Sequence, residues 1–167
     1  MDHKLDKLYL MMVEYFEGNP KRIEHFIMVH SLAKIIGQEE GLDNATLFNL
    51  EACALVHDIG IKKAIELYGC ADAKLQEELG PDIAKSFLMQ LLFTPDEIER
   101  ICYIVGNHHS YNKIDGIDFQ ILVEADFLVN LHDENADKPT ILKAYDNIFK
   151  TESGKKIARM MYHIIDF

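Results

Sequence analysis

Proline and glycine are scarce, four and nine among 167 residues, too few for a flexible linker, and the prolines stand where helices would begin. No internal repeat or low-complexity stretch interrupts the chain, so one domain with one sizeable core, residues 1–167, is expected. Cysteine is scarce too. Cys53, Cys70 and Cys102 are odd in number and widely spaced, which excludes a disulfide framework and a zinc ribbon and points to a reducing, cytoplasmic setting. No apolar run approaches membrane-spanning length, and the N-terminal MDHKLDKLYLMMVEYFEG is broken by acids and lysines, so neither a membrane span nor a secretion signal is expected. Basic residues are the third shortage: 17 lysines and arginines face 28 acids, a net charge of -11. That balance repels a phosphate backbone and no basic run offsets it, which excludes general nucleic-acid binding. A small phosphorylated ligand stays open only where a metal or a few lysines supply positive charge locally.

What the chain does have is apolar residues spaced at three and four, the period of one helical face, so the class is all-α with about eight helices. Helices are expected over about 5–16, over 20–40 behind an Asn19 cap with Pro20 in the first turn, and over 43–58, where Gly60 reads as a stop. A short piece covers 62–68, and Gly80-Pro81-Asp82 reads as the opening of a further helix. Thr94-Pro95-Asp96-Glu97 is a capping box that starts a helix over 95–109. The loop YNKIDGID leads to a helix over 118–131, and helices over 139–149 and 154–165 finish the chain. A motif core of about 20–131 is thus expected, with the helices of 139–165 packed on it. The C-terminal ARMMYHIIDF is read as core, with a homodimer interface as the alternative.

Several polar residues fall on apolar faces. His25 shares a face with Val29, Leu32 and Ile36, and His57 with Leu50, Cys53 and Ala54. His108 and His109 continue the stripe of Ile98, Ile101, Cys102 and Val105, and Asp126 lies among Phe119, Leu122, Val123 and Val129. Asp58 is a carboxylate at the negative end of a helix dipole, beside an apolar segment. One inward histidine is more often a hydrogen-bonded core residue than a ligand, and one inward aspartate more often caps a helix or pairs with lysine. Their coincidence on separate helices favours a shared divalent cation, because one ion satisfies them together. Two imidazoles and two carboxylates suit manganese, iron, nickel, magnesium or zinc.

These residues carry a resemblance that covers most of the chain. Arg22 and, three residues on, His25, with Val29 and Ala33, resemble the first histidine motif of the HD-domain superfamily of metal-dependent phosphohydrolases. His57-Asp58-Ile59-Gly60 is similar to its doublet, and Asp126 in ILVEADFL to its distal aspartate. The resemblance implies a compact HD-type helical domain in which His25, His57, Asp58 and Asp126 bind one divalent metal, with a water on that metal attacking phosphorus. Asp58 would both bind metal and orient the water, and Lys62, four residues later, would meet the transition-state charge, with Arg22 and Lys63 as weaker candidates. Many members carry lysine directly after the doublet's glycine, where this chain has Ile61 and then Lys62. Some members are dinuclear. Gly80-Pro81-Asp82-Ile83-Ala84 resembles the segment after one of their additional histidines, but the matching position here is Gln76, flanked by Glu77. His108-His109 resembles the paired histidines of such members, which leaves open a second metal or a substrate contact.

The expected function is hydrolysis of a small phosphorylated metabolite, a nucleotide among the candidates. The alternative is a non-catalytic metal- and nucleotide-binding regulatory module of the same fold, and the blander reading is a helical interaction domain whose histidines merely pack. Tyr111 and Asn112 follow the histidine pair and could touch substrate; His30 reads as a core-edge residue, and His3, His132 and His163 lie outside every motif.

Overall fold

The computed structural model describes residues 3–165. These form nine α-helices and one 3-10 turn, with no strand among the described residues: α1 (Lys4–Tyr15), α2 (Pro20–Glu39), α3 (Asn44–Val56), α4 (Gly60–Tyr68), α5 (Ala73–Gln90), α6 (Pro95–Val105), α7 (Ile117–Asp133), α8 (Lys138–Ile148) and α9 (Glu152–Tyr162), the turn being Tyr111–Lys113. No helix among them is long and apolar enough to cross a membrane.

Side-chain caps fix most helix starts. Asn19 accepts from Arg22 N, Asp43 from Ala45 and Thr46 N, Asp72 from Leu75 N, Asp137 from Thr140 N and Thr151 from Gly154 N. The Thr94–Glu97 capping box forms in full, with Pro95 in the first turn of α6. Each such cap is worth about 1 kcal/mol.

The two central helices are α3 and α7. Every residue of α3 from Leu50 to Val56 is buried, as are most of α7 from Asp118 to Leu131. Helices apolar on all sides must be covered on all sides. α2 packs on both, α1 and α6 close over α3, and α8 and α9 lie against α7. Two polar anchors hold α7 in place. Arg100 of α6 forms a bidentate pair with Asp118, Nε to Oδ2 at 2.8 Å and Nη2 to Oδ1 at 2.6 Å. The fully buried Glu124 accepts from Lys150 N, Thr151 N and Thr151 Oγ1, so a carboxylate sits at the positive N-terminal end of α9.

The structure differs from the sequence expectation at four places. α5 starts at Ala73 behind the Asp72 cap, so Pro81 lies inside a helix rather than opening one. Gly60 opens α4 instead of stopping α3, which ends at Val56. One cause underlies both. A Cβ on Gly60 would stand 2.7 Å from Gln76 O and 3.0 Å from Gly80 N, so these glycines mark the close contact of α4 with α5. α6 ends at Val105, before the histidine pair, because Asn107 and Ser110 turn the chain: Asn107 Nδ2 donates to Tyr103 O and Ser110 N to Asn107 O. In the C-terminal segment Ala158 is buried and Tyr162 OH reaches Leu128 O, but Met160 and Ile165 are 74% and 61% exposed, so only one face of α9 is core. The last two residues of that segment, 166 and 167, lie outside the described residues.

Helix propensity alone would make Gly60→Ala stabilising by about 1 kcal/mol. Because the added methyl meets backbone atoms of α5, the expected outcome is instead a loss of about 1–3 kcal/mol, read as a lowered urea midpoint.

Candidate metal centre

Three parts of the fold bring donors together. His25 comes from the second turn of α2, His57 and Asp58 from the link between α3 and α4, and Asp126 from the middle of α7. All four are buried. His25 Nε2 lies 3.3 Å from His57 Nε2, 3.1 Å from Asp126 Oδ1 and 3.2 Å from Asp58 Oδ2. His57 Nε2 lies 3.3 Å from Asp126 Oδ1 and 3.5 Å from Asp58 Oδ2. Ligands about 2.0–2.2 Å from a common ion stand about 2.8–3.1 Å apart as octahedral neighbours and about 3.3–3.6 Å apart in a tetrahedron. The separations among His25, His57 and Asp58 fall within that span, so these three could hold a divalent cation, and Asp126 Oδ1 stands beside both imidazoles.

The imidazoles are oriented for the task. His57 Nδ1 is 2.8 Å from Ala54 O, and His108 Nδ1 is 2.8 Å from Val105 O. A carbonyl only accepts, so each Nδ1 carries the proton, and in the neutral ring Nε2 presents a lone pair. His25 Nδ1 faces Asp133 Oδ2 at 3.3 Å, a carboxylate–histidine arrangement of the kind that orients metal ligands. Asp133 was missed in the sequence, although it lies seven residues after Asp126, close to the same face of α7.

The charges call for a cation. Burial disfavours the imidazolium of His25, yet hydrogen bonds from it to Asp126 and Asp58, with their charges, push its pKa up to about 10. Burial would raise Asp58, but the surrounding His57, His108 and His25 hold it well below the ordinary carboxylate range. Asp126 is likewise lowered against burial, by His25 and His57. Two buried carboxylates facing one point therefore attract positive charge, whether as protons or as a metal.

The histidine pair divides its labour. His108 Nε2 is buried, has no hydrogen-bond partner among the described residues and stands 3.5 Å from Asp58 Oδ1. A lone pair aimed at a carboxylate is an orphan that a shared cation or a proton would satisfy. His109 is engaged by α5: Gln76 Oε1 lies 3.0 Å from its Nε2, and its backbone N–H donates to Glu77 Oε1 at 3.0 Å. Burial, then the neighbouring His108, lowers the pKa of His109 to about 4. Asp58, His108 and His109 thus form a second donor group beside the first, with Gln76 and Glu77 positioning it.

Lys62 does not join the cluster. Its ammonium donates to Tyr15 O at 2.8 Å and covers the Tyr15 ring, because Ile61 and Ala64 take the inward face of α4 and turn Lys62 toward α1. Lys63 pairs with Glu66 on the surface. The cation at the site is Arg22, whose Nη1 donates to Asp58 Oδ2 at 3.0 Å. Of the other polar residues, His30 pairs with Glu51 at the edge of the core, and Tyr111 packs on Phe127 beside Asp126.

A helical bundle with buried imidazoles and carboxylates converging from separate helices defines a class of metal-binding α-domains. Within that class, the family model for the HD domain matches residues 22–142, more than half of the chain, and the protein belongs to the HD-domain family. Members of this family bind divalent metals and are generally metal-dependent hydrolases. No curated protein and no solved structure matches the chain significantly.

Two substitutions separate ligand from support. His57→Ala is expected to abolish stoichiometric metal, measured by elemental analysis after reconstitution. Asp133→Asn should retain the fold and weaken metal affinity by about 10–100-fold, read by competition with a chelator.

Proposed function

We infer that the protein is a metal-dependent phosphohydrolase acting on a small phosphorylated metabolite, a nucleotide among the candidates. The observation that carries this reading is the convergence of His25 Nε2, His57 Nε2, Asp58 Oδ2 and Asp126 Oδ1, with Asp58 and Asp126 each lining a cavity. These four residues would hold the metal. When bound, a divalent cation supplies Lewis-acid charge and lowers the pKa of a coordinated water from about 15.7 toward neutrality.

The chain's own groups supply the rest. Asp58 Oδ2 is engaged by Arg22, and its Oδ1 faces His108 Nε2, so Oδ1 is the acceptor able to hold a proton of the attacking water. Arg22, the cation nearest Asp58, is the group assigned to the phosphoryl charge, in the role the sequence suggested for Lys62. His109, with Gln76 behind it, borders the same cavity and is assigned to the phosphate or to a second metal. In the reaction the ester or anhydride P–O bond breaks as a P–O bond to water forms, the water losing one proton and the leaving oxygen gaining one.

The test is phosphate release by reconstituted protein from a panel of nucleotides and phosphate esters. Activity is expected in the wild type and a loss of about 100-fold or more in Asp58→Ala and His57→Ala. Undiminished turnover in both variants would refute the mechanism. Tight metal and nucleotide binding without phosphate release would support the regulatory module instead.

A further inference from the structure

Asp58 and Asp126 each line a cavity, of about 310 and about 290 Å³ respectively. Each is at the lower end of the range for small-molecule sites. The first is lined by Arg22, Asp58 and Gln76 with an apolar wall of Ile61 and Ile65 from α4; the second is lined by Asp126 and Phe127. They meet at His109, Asn130 and Glu134, which line both.

Arg22 is the only lysine or arginine among the described residues lining either cavity, and its guanidinium already holds Asp58. Three acidic residues line these cavities: Asp58 the first, Asp126 the second and the exposed Glu134 both. A divalent cation on the donors and the Arg22 guanidinium would together bring three positive charges against these three carboxylates, with Arg22 placed at Asp58 and no cation of the chain at Glu134 among the residues lining the two cavities. The loaded cleft then carries no excess positive charge beyond what its histidines add. One phosphate brings about 1.5 to 2 negative charges, which the metal and Arg22 can face directly. Each further phosphate adds negative charge with no lysine or arginine to meet it.

Glu134 sharpens this exclusion. It is an exposed residue that caps the C-terminus of α7, its N–H bonded to Asn130 O, so an acidic side chain and the negative end of the helix belong to the lining that the two cavities share. A second phosphate extending into either cavity comes under that field, and the net charge of -11 on the whole chain adds to it. Asn130 and the carboxylate of Glu134 are by contrast good partners for the hydroxyls of a sugar or polyol.

Resting on the hydrolase reading, we propose that the cleft selects small hydroxylated organic monophosphates over the corresponding di- and triphosphates, with Glu134 as the specificity-determining residue. The experiment compares metal-loaded wild-type and Glu134→Lys proteins on nucleoside mono-, di- and triphosphates with magnesium in excess. Binding of non-hydrolysable phosphonate analogues of the monophosphate and the triphosphate is measured alongside by calorimetry, and metal content is measured in every sample. In the wild type kcat/KM and affinity are expected to favour the monophosphate by about tenfold or more, and Glu134→Lys should narrow that gap to about threefold or less with the metal retained. A wild type that handles the triphosphate as well as the monophosphate, or a gap unchanged in Glu134→Lys, overturns the proposal. Absence of phosphate release from every substrate counts against the hydrolase reading alone, since the analogue affinities still decide selectivity.

Discussion

Two carboxylates, Asp58 and Asp126, are buried beside the imidazoles of His25 and His57. Taking two anions out of water costs several kcal/mol each unless positive charge accompanies them. Arg22 reaches Asp58 and, among the described residues, no lysine or arginine is paired with Asp126, so the imidazoles must supply the balance as protons or a cation must enter. The two solutions compete for the same Nε2 lone pairs, which makes metal loading and protonation alternatives at a single point. Most other features of the molecule bear on how that point is held.

The backbone around it is built for close approach. α4 leaves α3 through only three linking residues, and Gly60 and Gly80 let α4 lie against α5 with backbone nearly touching backbone. That contact has two effects on the site. It fixes the link carrying His57 and Asp58, and it brings Gln76 and Glu77 of α5 to the turn of His109. From the far side the Arg100 pair with Asp118 and the seat of Glu124 on α9 lock α7, which carries Asp126, Asn130, Asp133 and Glu134.

The helical class and the buried polar positions were legible because helical periodicity exposes a polar residue on an apolar stripe, and His25, His57 and Asp126 each break such a stripe. Two errors share a different origin. Gly80-Pro81 reads locally as a helix start, and Gly60 as a stop, because sequence displays a glycine's conformational freedom but not the neighbour that requires its small size. Lys62 stands out in the sequence by its short distance along the chain from the doublet, whereas its direction is set by which face of α4 is buried. Arg22 could have been preferred on the same principle, since it stands three residues before His25 and so on the same side of α2. Asn130 and Asp133, four and seven residues after Asp126, follow the same rule; Glu134, at the end of α7, owes its place to the junction of two cavities, which no linear pattern encodes.

The helix ends give the site its orientation. His57 follows α3 and His108 follows α6, and in both the ring Nδ1–H bonds to the carbonyl three residues back, Ala54 and Val105 respectively. Those carbonyls belong to last turns, where backbone acceptors lack helical partners. The unpaired carbonyls that make a helix C-terminus an unfavourable place for the Asp58 carboxylate are therefore the groups that tie down the imidazoles beside it and aim their Nε2 atoms at the cluster. Because the orienting acceptors are backbone atoms, side-chain replacement around these two rings leaves their tautomer in place. His25 differs: its orientation depends on Asp133, a partly exposed carboxylate that adds further negative charge next to the cluster. Of the three rings, His25 is thus the one whose Nδ1 is oriented by a side chain rather than by the backbone.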